Sequence, residues 1–129
     1  MMKIVGSLLA CAALGACADI NDIRAEPPDL SVTVHAPDMS KFMACLHDEL
    51  LTTTGSALVV VRSVDRNGVG HIDAHAAGSA GGAVYIYDVT ISPSLVAGDV
   101  IVERHSMKNM WGNSEGPSNL KEAADICAT

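Results

Sequence analysis

Aromatic residues and basic residues are both scarce in this chain, and each scarcity excludes a class of protein. Only one Phe, one Trp and two Tyr occur, so Val, Ile, Leu, Met and Ala have to fill the core. Eight Lys and Arg stand against fifteen Asp and Glu, which gives a formal net charge of -7. Because no basic stripe is present to displace counterions from phosphates, we expect no nucleic-acid partner.

Known catalytic and cofactor motifs are missing as well. The sequence contains no Gly-x-Ser-x-Gly, His-Glu-x-x-His, Cys-x-x-Cys or dinucleotide glycine pattern. The glycine-rich stretch 77–82 lacks the Lys-Ser/Thr pair of a phosphate-binding loop and reads as a connector. We therefore expect a non-catalytic protein without a cofactor, although an enzyme whose residues converge only in the fold stays open.

The N-terminus has the pattern of an export signal. A short positive region, Met1–Lys3, precedes the mostly apolar run Ile4–Leu14, which is shorter than the roughly 20 residues needed to span a bilayer. The run ends in Leu14-Gly15-Ala16-Cys17, which resembles the lipobox of bacterial lipoproteins. Leu8-Leu9-Ala10-Cys11 fits the same pattern, but it leaves too short an apolar stretch before the cut. The alternatives are a plain secretory signal or a buried first helix.

The lipobox resemblance implies an anchor and an address. It implies that the chain is cut after Ala16 and that Cys17 carries diacylglycerol and a further acyl chain, such as palmitate. In the family, Asp directly after the lipidated cysteine retains a protein in the inner membrane, and here that position is Ala18. The expected location is therefore the bacterial outer membrane, facing the periplasm.

Domain organisation follows from composition. With 129 residues, 49% of them apolar and 18% charged, the chain has room for one globular domain. Residues 1–16 are the predicted signal peptide. Residues 17–29 are the predicted lipidated N-terminus and tether, because they are polar, acidic and contain Pro27-Pro28. The domain is predicted at residues 30–129.

Periodicity predicts two helices and four to five strands. Strand alternation marks Leu30–His35, and a helix begins after Asp38 with apolar residues three and four apart. Asn119 and Glu122 form a predicted capping box for the final helix. The predicted apolar helix faces are Met39, Phe42, Met43, Leu46 and Leu50, then Leu120, Ala123, Ala124 and Cys127; the remaining predicted strands are Ala57–Val64, Val69–Ala76, Ala83–Ile91 and Asp99–His105. This order predicts an α+β fold, a small antiparallel sheet with two helices packed on one face.

Two cysteines remain within the predicted domain, one in each helix. An oxidising envelope compartment favours a disulfide between Cys45 and Cys127. Two buried free thiols are the alternative.

The candidate metal site is the segment His71-Ile72-Asp73-Ala74-His75. In a strand, His71, Asp73 and His75 share one face, and three such donors could hold zinc or copper. A two-residue turn at Asn67-Gly68 would place Arg62 opposite Asp73, where the guanidinium neutralises the carboxylate. We therefore favour a solvated polar face over a metal.

The same register makes a prediction for the other face of this hairpin. It places Val59, Val61, Ile72 and Ala74 together as an apolar patch, which we expect to meet the helices.

The only tryptophan marks a candidate binding loop. Met110 and Trp111 lie between the last strand and the last helix, and Trp and Met are frequent at protein-binding surfaces. A lid folded onto the end of the core is the alternative. Three functions remain open: a lipid-anchored module that binds another envelope protein, which we favour, a metal-binding lipoprotein that uses His71 and His75, and an enzyme without a recognisable motif.

Overall fold

The computed structural model describes residues 20–55, 57–76, 84–108, 111 and 116–129. Five strands form one antiparallel sheet in the order β1-β5-β4-β3-β2. The strands are β1 (Leu30–His35), β2 (Leu58–Val64), β3 (Gly70–Ala76), β4 (Val84–Pro93) and β5 (Asp99–Ser106). The helices are α1 (Ile20–Ala25), α2 (Met39–Thr53) and α3 (Leu120–Cys127). The predicted α+β fold is confirmed.

Helix α2 forms where the sequence predicts it. The Asp38 carboxylate accepts a hydrogen bond from the Lys41 backbone N–H at 3.1 Å, which satisfies one of the unpaired donors of the first turn. Of the predicted apolar face, Met39 is half-buried, and the buried members are Phe42, Met43, Leu46 and Leu50.

Helix α3 buries its predicted apolar face, but its predicted capping box does not form. The Asn119 side chain makes no capping bond. Its Oδ1 instead accepts a hydrogen bond from the Thr53 hydroxyl at 3.3 Å, so this residue ties α3 to the end of α2. The predicted disulfide joins the same two helices, with the Cα atoms of Cys45 and Cys127 5.7 Å apart.

The sheet has an apolar face and a polar face, and the two are covered by different helices. On the apolar face, buried residues pack against α2 and α3; they include Val34, Ile72, Ala74, Val89, Ile91, Val100 and Val102. The polar face carries His71, Asp73 and His75 of β3, beside Asp88 of β4 and His105 of β5. Helix α1 packs on this polar face, where its Arg24 binds Asp88.

The β2–β3 hairpin differs from the predicted register by one residue. The Asp65 carboxylate accepts bonds from the backbone N–H groups of Asn67 (2.8 Å) and Val69 (3.1 Å), and Asp65 pairs with Val69 across a three-residue loop. Gly68 takes a φ of 79°, the left-handed conformation that such a loop requires.

This shift corrects two predictions, because a one-residue slip turns every side chain of the strand to the other face. Arg62 lies opposite Ile72, and Val61 lies opposite Asp73. The prediction that Arg62 opposes Asp73 is therefore wrong. Ile72 and Ala74 are buried as expected, but Val59 and Val61 are exposed and do not meet the helices.

The predicted tether is also corrected in part. Residues 20–25 form α1, and Ile23 is only 5% exposed. The prediction failed here because a single buried isoleucine in a polar segment gives no periodic signal. Among the described residues, no helix is long and apolar enough to cross a membrane.

Candidate functional site

A chain of charged side chains crosses the polar face from α1 to the hairpin. The Arg24 guanidinium donates to both oxygens of Asp88, from Nε at 2.9 Å and from Nη2 at 3.4 Å. His71 lies between two carboxylates, with Nδ1 3.2 Å from Asp88 Oδ2 and Nε2 3.0 Å from Asp65 Oδ2. The contacts run in the order Arg24, Asp88, His71, Asp65, and we call these four residues the charge relay cluster. Asp88 is fully buried and therefore depends on these partners.

Asp65 of this cluster and the neighbouring Asp73, which is not a member, differ in environment. Hydrogen bonds from the His71 side chain and from the Val69 and Asn67 backbone lower the pKa of Asp65, although burial acts in the opposite direction. Burial, followed by the negative charge of Asp88, raises the pKa of Asp73. Asp73 is the neighbour of Asp88 across the β3–β4 pair, so the face holds two adjacent carboxylates with one guanidinium.

The three predicted metal candidates do not form a ligand set. Both nitrogens of His71 face carboxylates, and a neutral imidazole has only one N–H to donate, whereas an imidazolium donates to both. His75 Nδ1 is buried without a hydrogen-bond partner, 3.8 Å from Asp73 Oδ1, and the imidazole tilts against the Tyr85 ring at 5.3 Å. Within the described ranges, no group of three His, Cys, Asp or Glu side chains could hold a metal ion.

Three side-chain contacts hold residues 24–29 against the sheet, and one of them is the Arg24–Asp88 pair of the charge relay cluster. Besides the Arg24–Asp88 pair, His105 Nδ1 donates to the Glu26 carbonyl at 2.9 Å, and Arg104 Nε donates to Asp29 Oδ1 at 2.6 Å. Each bond joins residues 24–29 to β4 or β5. The cation that binds a carboxylate of this face is Arg24 of α1. The hairpin register predicted from the sequence had assigned this role to Arg62.

A second candidate region is β2, which is an edge strand of the sheet that the described residues form. Three of its valines are exposed: Val59 by 44%, Val61 by 40% and Val64 by 62%. An exposed apolar edge strand is a ready template for pairing with another chain, and proteins commonly protect such edges. The outward edge of β2 is therefore the candidate interface.

A groove follows the same strand on the side of α2. It has a volume of about 370 Å³ and is lined mainly by Met39 and Met43 of α2 and by Arg62 and Val64 of β2. Methionine side chains adapt to partners of different shape. Arg62 and Val64 belong to both the groove and the free edge of β2, and we call the groove and the edge together the β2 surface.

The remaining predicted sites are distributed as follows. Trp111 is 76% exposed, so its indole is not packed into the core as a lid would require, and it stays a candidate for partner binding. Met110 and the lipidation candidate Cys17 lie outside the described residues, as does the glycine-rich stretch 77–82.

Sequence reasoning missed Asp65 and Asp88 as partners of His71, and it missed Arg24 as the partner of Asp88. Only Asp65 carries a local signal, since Asp three residues before Gly favours a turn whose N–H groups bond its side chain. Arg24 and Asp88 meet across 64 residues of chain, a contact that local patterns do not reveal. Comparison with protein-family models, with curated proteins and with solved structures finds no significant match to this chain.

Proposed function

We propose that this protein is a lipid-anchored module of the bacterial envelope that binds an extended segment of another protein along the β2 surface. The observation that carries the proposal is the exposed apolar edge of β2, with Val59, Val61 and Val64 between 40% and 62% exposed. Addition of a strand to such an edge supplies backbone hydrogen bonds, and neighbouring grooves select its side chains. The anchor is the lipid proposed on Cys17, at the outer membrane.

The metal-binding and enzyme alternatives have no supporting geometry among the described residues. His71 and His75 do not converge on a common point with Asp73, as ligands would. Ser63 lies opposite His71, but both ring nitrogens of His71 are within hydrogen-bond distance of carboxylates, so neither is left to activate a hydroxyl. We therefore retain partner binding as the proposal.

The β2 surface is tested by photo-crosslinking in intact cells. A photoreactive amino acid at Val61 should give an adduct with an envelope protein when the cells are irradiated. The matched control is Thr33, which is exposed on β1, the strand at the other end of the sheet. Equal adducts at both positions, or none at Val61, would contradict partner binding through β2.

The anchor is tested separately with fatty-acid labelling. Replacement of Cys17 by Ser should abolish labelling, because the thioether requires the cysteine sulfur. The control is Cys11→Ser, which should be labelled normally. Labelling that survives in the Cys17 variant would show that the wrong cysteine was chosen.

A further inference from the structure

We infer that the bound segment pairs with the C-terminal half of β2, at Arg62 and Val64, and that it carries a carboxylate side chain that binds Arg62. This inference rests on the proposed function and deepens it, because it names the half of the edge that is open and the chemistry of the occupant.

The direction of the backbone groups follows from the hairpin. The Asp65 N–H donates to the Val69 carbonyl at 2.9 Å, so Asp65 directs its backbone groups toward β3. In an antiparallel pair these directions alternate along the strand. Val61 and Ser63 therefore also face β3, while Val60, Arg62 and Val64 direct their N–H and C=O groups toward the free edge.

The N-terminal half of this edge is already partly bonded within the chain. The Leu58 N–H donates to the Gly55 carbonyl at 3.0 Å. His47 of α2 donates from Nε2 to the Val60 carbonyl at 3.2 Å. These bonds protect that half from a further strand. The groups left for a partner are concentrated at Arg62 and Val64.

The groove lies beside this open half. Met39 and Met43 provide an apolar wall, and Arg62 and Val64 close the other side. A strand added at the edge presents alternate side chains to the groove. One of them meets the methionines and another, two residues away, meets the guanidinium.

The positive charge of Arg62 indicates which side chain the bound segment places beside it. Arg24 and Arg104 pair with carboxylates, but Arg62 is exposed and has no ion pair with any described residue, in a chain of net charge -7. A carboxylate on the partner supplies the missing charge. A second copy of this chain is disfavoured, because it would bring a second Arg62 and Arg66 to the same short ladder.

The test uses a defined probe, the acetylated and amidated peptide Ser-Val-Leu-Val-Glu-Val-Ser. Its Leu and Glu share one face, as the groove requires, and the matched control peptide has Lys in place of Glu. Each is titrated into ¹⁵N-labelled full-length protein, purified in detergent from cell envelopes, and backbone amide shifts are followed by NMR. The Glu peptide should shift the Arg62 and Val64 amides in a saturable way and leave the Leu58 amide in place.

The charge contact is tested with two variants. Arg62→Gln should weaken binding of the Glu peptide about tenfold, the size expected for loss of one charge-assisted contact. Lys121→Gln, an exposed change on α3, should leave it unchanged.

Equal binding of the two peptides, shifts confined to other strands, absence of binding, or self-association through the same amides would each overturn the inference. The cross-link at Val61 does not depend on this peptide. Failure of the peptide with a retained cross-link therefore rejects the partner chemistry alone, whereas loss of the cross-link rejects the proposed function.

Discussion

Asp88 and Val89 are neighbours in β4 and are both fully buried, yet they lie on opposite faces of the sheet. Val89 belongs to the apolar cluster under α2 and α3, where contact with any well-fitting apolar side chain is favourable. Asp88 is buried as a charge and depends on Arg24 and His71 in fixed positions. Two helices cover the first face, and one six-residue helix covers part of the second.

Burial alone therefore does not measure what a face of the sheet contributes to stability. Removal of apolar surface from water is favourable in itself. Burial of an ion pair often does little more than offset its own desolvation, but breaking it leaves an uncompensated charge. We therefore expect the apolar face to determine stability and the polar face to determine where α1 is held.

The largest expected effect is on the helix pair above the apolar face. Replacement of both Cys45 and Cys127 by Ala should lower the free energy of unfolding by about 4 to 5 kcal/mol, since the disulfide closes a loop over a sequence separation of 82 residues. Denaturant unfolding measures the change. The control is the unmodified protein in reductant, which should match the double variant; if the oxidised protein is no more stable than either, the disulfide does not stabilise the fold.

The next effect is loss of packing on the same face. Leu46→Ala should cost about 3 kcal/mol, because Leu46 is fully buried and its removal leaves a cavity. The matched control is Leu51→Ala in the same helix, where the side chain is 49% exposed and the expected cost is below about 1 kcal/mol. Similar losses for the two variants in chemical denaturation would show that α2 does not bury the face described.

The third effect concerns the Arg24–Asp88 ion pair on the polar face. Arg24→Met should cost about 2 kcal/mol, less than for a fully buried pair, because a third of the Arg24 side chain is exposed. Asp88→Asn in the same chain should restore part of the loss, since it removes the unpaired charge. A double-mutant cycle by thermal unfolding measures this coupling. Additive losses would mean that the two residues act independently.

A second measurement is hydrogen exchange of the backbone amides in residues 20–25, which should become faster in the Arg24 variant.

The smallest expected effect is the pH dependence of Asp73. Because burial and Asp88 raise its pKa above the ordinary 3.8, the folded state holds this proton to higher pH than the unfolded state does. Stability from this group therefore falls as pH rises above 3.8 through the raised value. Asp73→Asn should be the more stable form at pH 7, with an advantage that disappears in acid.

Thermal unfolding across pH measures this difference. Asp125→Asn, an exposed change on α3, serves as the control and should show no such crossover. An Asp73 variant that is less stable than the original chain at neutral pH would reverse the sign argued here.

The apolar face could be predicted from the sequence, because the spacing of apolar residues within each helix or strand shows which side is buried. The spacing of Phe42, Met43, Leu46 and Leu50 identifies one side of α2, and Asp38 identifies its start. The disulfide was predicted from the oxidising compartment and from two cysteines on or beside the apolar helix faces. The β2–β3 register could not be fixed in this way, since Asn-Gly suggests a two-residue turn and the Asp65 side chain stabilises a loop one residue longer.

The polar face was predicted only in part. Alternation placed His71, Asp73 and His75 together, which the register of β3 confirms. Their partners were assigned wrongly, because Arg24 and Asp88 reach this face from distant parts of the chain. A buried carboxylate such as Asp88 has no sequence signal of its own, since an exposed Asp in an alternating strand looks the same. The open edge of β2 likewise depends on strand order, which local patterns do not determine.

If Cys17 carries the proposed lipid, the contacts that hold residues 24–29 against the sheet would also limit the distance between the membrane and the domain. With Arg24 held by Asp88, three residue steps separate Cys17 from Ile20, the first residue that the structure describes, a span of at most about 10 Å. A lipid on Cys17 would then keep α1 close to the bilayer. If the contacts of Arg24, Glu26 and Asp29 with β4 and β5 were all released, the chain would be free as far as Leu30, 13 steps from Cys17 (30 − 17), with a reach of about 45 Å. Under the proposed anchor, these contacts would together determine how far from the membrane the β2 surface can meet a partner.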